Sequence, residues 1–295
     1  MAPVPASVAK QAELLKQDGN TFFKKERIGA AIDAYTEAIV LSPNVPVYWT
    51  NRALCYKKRN EWKKVEDDCR MALQLDKFSV KILSNFTILH FAIGATLTCI
   101  PPPFCILAHY MLGLALLDRQ EFAEGIKELE KSLELGRGAN PASYMVEEIW
   151  QELAKAKYTE WERSSKKRAT RLHELEKACE EALKNYHGLD GSTEDEHEEQ
   201  LIHLKEVFRK ADDIPKEVPD HLCCKITLDI FRDPVITPTG VTYERSVLLD
   251  HLQKVGKFDP ITREPLAPHQ LVPNLAIKEA VQAFLNKHGW AYRMS

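Results

Sequence analysis

Cysteine pairs at metal spacing are missing from this chain. No two of its seven cysteines are separated by two residues, which excludes the short-spaced thiolate sets that hold structural zinc. Nor do they follow a disulfide framework. A reducing cytosol or nucleus is therefore the expected compartment, and no signal peptide is read ahead of Met1-Ala2-Pro3. An excess of either charge is lacking too: 40 Lys and Arg against 43 Asp and Glu leave −3. The one basic cluster, Lys166-Lys167-Arg168, lies in a helical stretch and reads as a solvated face. No nucleic-acid partner is expected. Charge is absent altogether from Ile82 to Leu107, which are 26 residues without an acid, a lysine or an arginine. The full 295 residues suit about two domains.

What is present begins with a repeat. Gly19 and Ala53 stand 34 residues apart, and bulky and small residues recur around both. Leu15, Phe22, Ala31, Tyr35, Ala38 and Pro43 surround the first; Trp49, Tyr56, Val65, Cys69, Ala72 and Lys77 surround the second. Gly113 is the next equivalent, with Leu116, Gly125, Leu129 and Ser132 at matching offsets, but it comes 60 residues after Ala53. The surplus of 26 equals the uncharged run, with Asp76–Lys81 leading into it and Ala108–Gly113 continuing beyond it. Three readings of the run are open. Ile82 to Ile100 has the length of a bilayer span, although Asn85, His90, Gly94 and four Ser or Thr residues weaken that case. It could instead be an interaction loop or helix. The favoured reading is a splice-type insertion with little role of its own, one that exposes apolar surface.

The pattern is similar to tetratricopeptide repeats, whose short arrays form a groove. Lys16 and Asn20 are one turn apart on one helix; Asn51 and Lys58 are two turns apart on another. Two cations and two amides suit a peptide rich in carboxylates. They fall at the positions of the carboxylate-clamp repeats, which implies binding to the C-terminal Glu-Glu-Val-Asp tails of 70 and 90 kDa heat-shock chaperones. Lys81 matches a further clamp lysine by the Ser79-Val80 before it, but the run severs it from its helix, and Leu107 stands six before Gly113.

From Ser143 to about Tyr186 the chain is polar and helical, with Leu172, Leu175, Cys179, Ala182 and Tyr186 at three- and four-residue steps. Gly188 to Asp195 is expected to break it. A second helix follows, with Leu201, Leu204, Val207, Phe208 and Ala211. The two read as a helical hairpin whose apolar stripe suits self-association; the alternative is a solvated spacer.

Beyond it, punctuation is dense. Pro234 starts a short strand, Thr239-Gly240 turns a hairpin, and Ser246 is expected to cap a helix ended by Gly256. Pro260 to Pro268 is a rigid loop, and Asn274 opens a last helix with Leu275, Ile277, Val281, Phe284 and Leu285 on one face. From Pro219 to Trp290 this resembles the U-box, the zinc-free relative of the RING domain. Lys225, Asp229, Arg232, Asp233, Glu244 and Arg263 are then expected to brace it in place of metal. By family position, Ile226, Leu228, His251, Pro260 and Arg263 would seat a ubiquitin-conjugating enzyme. Cys223 and Cys224 read as small core hydrophobes that carry no ubiquitin.

The order of parts resembles the CHIP-type chaperone-linked ubiquitin ligases. That implies a mostly α fold with repeats over 8–140 (insert 82–107), a helical hairpin over 141–213 and a small α+β U-box over 217–291. It implies an E3 ligase and co-chaperone that is homodimeric, holds chaperone and conjugating enzyme together, and ubiquitinates misfolded clients with no cofactor or metal and no covalent nucleophile of its own. Two alternatives stay open: an active ligase with impaired chaperone binding, and a non-enzymatic adaptor.

Overall fold

The computed structural model describes residues 5–75, 103–139, 144–190, 194–211 and 217–293. It divides into two compact units, Met1–Ala156 and Lys157–Ser295. The first unit holds three helix pairs: α1 (Ala6–Lys24) with α2 (Ile28–Leu41), α3 (Pro46–Lys58) with α4 (62–75), and α5 (Pro103–Asp118) with α6 (Phe122–Ala139). The first turns of α7 (Tyr144–Asp190) complete it, with Val146, Ile149 and Trp150 buried.

The repeat shows in the backbone as well as in the side chains. Glu26, Asn60 and Gln120 each stand seven residues after the small residue of their repeat, and each takes the left-handed conformation, with φ of 57°, 57° and 64°. In each turn the next N–H reaches back to a helical carbonyl: Arg27 to Phe22, Glu61 to Tyr56 and Glu121 to Leu116. That is how a helix end satisfies its orphan carbonyls and reverses direction.

Small residues let the paired helices touch. A Cβ on Gly113 would stand 2.8 Å from Leu129 Cγ and 3.1 Å from the backbone oxygen of Gly125, which cannot move aside; around Gly29 nothing lies within 4 Å. Gly113→Ala should therefore destabilise the unit by about 1–3 kcal/mol through overpacking. Gly29→Ala should be neutral or stabilise by up to about 1 kcal/mol through the helical preference of alanine. Urea unfolding of both variants checks the contrast. Between repeats, Arg52 forks onto buried Asp68 at 2.8 and 2.7 Å and donates to Thr36 Oγ1 at 3.0 Å, so the second pair is locked to the first.

The uncharged run needs a partial correction. Its last five residues form the start of α5, and Cys105 and Ile106 are buried, with Ser132 Oγ donating to the Ile106 carbonyl at 2.7 Å. Here the run supplies core and exposes little. Lys81 and the proposed span Ile82–Ile100 lie outside the described residues. Among the described residues no helix is long and apolar enough to cross a membrane.

The second unit holds the rest of α7, α8 (Glu194–Ala211) and a small α+β body. Gly188 does not end α7, which runs on to Asp190. Glu180 and Lys205, 3.7 Å apart, join the two long helices. The expected single stripe is split between two faces. Leu172, Cys179, Leu201, Leu204 and Phe208 are half-buried, whereas Leu175, Tyr186, Ile202 and Val207 are exposed. Gly289 lets the chain end pack on Trp161, and Lys157 sits over the Tyr292 ring.

In the small body, β1 (Pro234–Ile236) lies between β2 (Thr242–Glu244) and β3 (Val272–Pro273), antiparallel to both. Gly240, at φ 85°, makes the turn between β1 and β2. Val235, Tyr243, Leu248, Leu252, Leu266 and Leu271 form the core. Asn274 caps α10 (Leu275–Lys287) as read, accepting from the Ile277 N–H at 3.2 Å. Ser246 does not cap α9 (Arg245–Lys254); it lies inside the helix, and the cap position is Glu244. Leu275 is 62 % exposed and does not belong to the α10 core face, where Val281 and Leu285 are buried.

Candidate functional site

Two six-residue loops of the small body share one geometry. In Cys224–Asp229 the first N–H donates to the sixth carbonyl at 2.8 Å, and the fifth N–H to the first carbonyl at 2.9 Å. Asp259–Glu264 repeats both bonds at 2.8 and 2.9 Å. The fifth residues, Leu228 and Arg263, take left-handed φ of 62° and 63°. The flanks close as antiparallel bridges, Cys223 with Ile230 and Phe258 with Pro265. The third residue of each loop is isoleucine, and both project outward: Ile226 is 40 % and Ile261 57 % exposed, beside Leu228 at 76 %. Sequence reading selected Ile226, Leu228 and Pro260 but missed Ile261. Its signal was the Ile-Thr pair shared by the two loops.

Strand β2 ties the loops together. Tyr243 Oη donates to Asp259 Oδ1 at 2.7 Å, and the Glu244 N–H reaches Cys224 Sγ at 3.4 Å. Asp259 is the fully buried hub. It also accepts the hydroxyls of Thr237 and Thr239 and the N–H groups of Ile261 and Thr262. Burial pushes its pKa up, but the Thr262 N–H, the Tyr243 hydroxyl and the other donors outweigh it and hold the carboxyl at about 2. Burial first, then Asp259, pushes the Tyr243 phenol up.

The expected braces are sorted by this geometry. Glu244 accepts the backbone N–H groups of Arg232 and Asp233, and Asp233 pairs with Arg245 at 2.6 Å. Arg263 braces differently from the expectation: its guanidinium lies 5.0 Å over the Phe258 ring. His251, half-buried, meets the same ring edge-on at 5.1 Å and holds the Phe258 carbonyl at 3.1 Å. Phe258 was not anticipated. Gly256 makes room for it, since a Cβ there would stand 2.4 Å from the ring. Cys224 is buried as read, while Cys223 is half-buried. Among the described residues no cluster of three or more metal-ligating side chains occurs.

In the repeat unit, Asn20 and Asn51 come together. Asn20 Oδ1 accepts Asn51 Nδ2 at 3.3 Å and Tyr35 Oη at 2.8 Å, which fixes the amide of Asn20. Lys16, half-buried one turn earlier, pairs with Glu13 at 2.5 Å, and Lys58 is exposed two turns beyond Asn51. A ligand carboxylate at Lys16 must displace Glu13.

Residues 218–290 match the U-box domain family. The E3 ubiquitin-protein ligase CHIP of Arabidopsis thaliana is 57 % identical over 301 residues, covering 99 % of each chain. The small glutamine-rich tetratricopeptide repeat-containing protein beta of Homo sapiens is 44 % identical over 66 residues, 22 % of this chain and 21 % of that one. The solved first TPR of Spaghetti (RPAP3), bound to the HSP90 peptide SRMEEVD, is 26 % identical over 50 % of this chain and 91 % of its own, at a TM-score of 0.37, too low to add to the sequence relationship. Paired metal-free loops in a U-box, helix pairs at 34-residue spacing and identity along the whole length agree: the chain belongs to the CHIP family of E3 ubiquitin-protein ligases.

Proposed function

We propose that the paired loops seat a ubiquitin-charged conjugating enzyme and that the repeat groove holds the acidic C-terminal tail of a 70 or 90 kDa heat-shock chaperone. Ubiquitin then passes directly from the conjugating enzyme's cysteine to a lysine of a misfolded client or of the chaperone. The observation that carries the reading is the exposure of Ile226, Leu228 and Ile261 on loops held rigid from below by Asp259. Apolar anchors on a fixed backbone lose little entropy on binding. Pro260 stiffens the second loop, and Arg263, laid flat on Phe258, keeps donors free to reach a carbonyl of enzyme or ubiquitin. The ligase contributes proximity and orientation. Cys223 and Cys224 carry no ubiquitin: burial raises the thiol pKa of Cys223, and Cys224 Sγ is held by the Glu244 N–H. The setting proposed is a reducing cytosol or nucleus.

The exposed face of the long helices, Leu175, Tyr186, Ile202 and Val207, is proposed to pair with a second copy. Light scattering should give a dimer at micromolar concentration, and a stable monomer would remove this part of the reading.

A second reading, an active ligase with weakened chaperone binding, draws on two observations. Lys16 is already paired with Glu13, and Leu107 occupies the helix position that Lys81 would fill. Paired assays separate it: autoubiquitination with chelator present, and titration with a peptide ending in Glu-Glu-Val-Asp. Activity with tail binding supports the main reading, and activity without it the second. Deleting 82–107 returns Lys81 to the sixth place before Gly113. On the second reading the deletion should tighten tail binding about tenfold, the worth of one charged hydrogen bond.

A further inference from the structure

Beyond the clamp, the groove-facing helices carry a second charged cluster. Glu148, in the first turns of α7, accepts Tyr110 Oη at 2.7 Å. Lys57 of α3 places its ammonium 4.7 Å from the Tyr110 ring centroid and 4.0 Å from the Glu148 carboxylate. Three helices, α3, α5 and α7, thus meet at one point. Tyr110 stands three residues before Gly113, as Lys16 stands three before Gly19, so it fills in the third repeat the helix position of a clamp residue in the first. The Glu148 side chain is 47 % exposed, while the Tyr110 hydroxyl fixes where its carboxylate points. Glu152, one turn further along α7, also acts on Tyr110. Two carboxylates against one ammonium leave this end of the groove negative, opposite in sign to Lys16 and Lys58.

We propose that Glu148 selects the side chain a bound tail carries upstream of its terminal carboxylate, accepting arginine or lysine and disfavouring aspartate or glutamate. The inference rests on the clamp reading above and deepens it. With the terminal carboxylate at the seam of α1 and α3, the seam of α5 and α7 is two helix spacings away, roughly 16–20 Å. An extended peptide rises about 3.3 Å per residue, so the selected side chain stands about five or six residues before the last. Arginine fits best, since its fork can take both oxygens of a carboxylate already oriented.

The test is a titration of the full chain, at low ionic strength, with synthetic peptides ending in Glu-Glu-Val-Asp. They carry Arg, Ala or Glu five, and separately six, residues before the end. The Arg peptide should bind about fivefold more tightly than the Glu peptide at one of the two positions, the size of a partly exposed charge contact. The ratio should fall to near one in Glu148→Gln, which keeps an acceptor for Tyr110 and the same volume. Equal binding of Arg and Glu peptides by the wild-type chain overturns the assignment and leaves the clamp standing, as does a ratio that survives Glu148→Gln. If no peptide binds, the clamp reading and this assignment fall together.

Discussion

Ile226→Ala and Ile261→Ala should each slow ubiquitin discharge from a charged conjugating enzyme by about ten- to thirtyfold, with no change in melting temperature. Both side chains stand clear of the core at 40 % and 57 % exposure, so truncation opens no cavity. Both are the apolar tips of loops whose backbone is fixed by paired hydrogen bonds, and anchors of that kind typically contribute about 1.4–2 kcal/mol to an interface. Pro260→Ala should act in the same direction by loosening the second loop. The informative comparison is across several conjugating enzymes: unchanged rates with all of them in both isoleucine variants would move the docking site elsewhere. Ile261 matters most here, because family position did not select it; only the matched geometry of the two loops did.

Asp259→Ala should have the largest effect on stability, unfolding the small body at ordinary temperature. Five donors converge on this carboxylate, from Thr237, Thr239, Tyr243, Ile261 and Thr262. Leaving several buried donors unsatisfied costs about 1–3 kcal/mol each, against a total that is marginal for a domain of this size. Asp259→Asn keeps one acceptor oxygen and should fall between. The same site sets an acid limit. Its folded pKa, about 2, lies below the ordinary 3.8, so its contribution is fully present above about pH 4 and is lost as pH falls towards 2. Glu244 works the other way: burial raises its pKa, so acid favours its neutral form in the fold. Acid unfolding followed by the fluorescence of Trp290 should therefore begin below pH 4 in the wild type. An onset near neutral pH would mean that a different group controls it.

How far the sequence led depends on the range over which each signal acts. The 34-residue spacing was legible because close helix contact demands small residues at fixed places, and Gly113 against Gly125 is that demand. The turn at Gly240 and the cap at Asn274 were legible because both are local. Asp259 was not: followed by proline, it reads as a turn residue, and its donors come from residues 237 to 262, joined only by tertiary folding. Ser246 failed as a cap because β2 runs straight into α9, placing Glu244 at the boundary. Arg263 was expected to brace with its charge, yet its ring contact depends on Phe258, which a glycine two residues before it makes possible. The end of the uncharged run misled for a related reason. Composition marked it as foreign, whereas any apolar segment that enters α5 in register can fill the core, as Cys105 and Ile106 do.

Single-turnover discharge of a ubiquitin-charged conjugating enzyme onto free lysine, with chelator present and products run on a non-reducing gel, is the decisive measurement. The wild-type chain should accelerate discharge undiminished by chelator, Ile226→Ala should not, and no thioester should form between ubiquitin and Cys223 or Cys224. Discharge that stops on chelation, or a ligase–ubiquitin thioester that builds up and decays, would contradict direct transfer from a metal-free paired-loop platform.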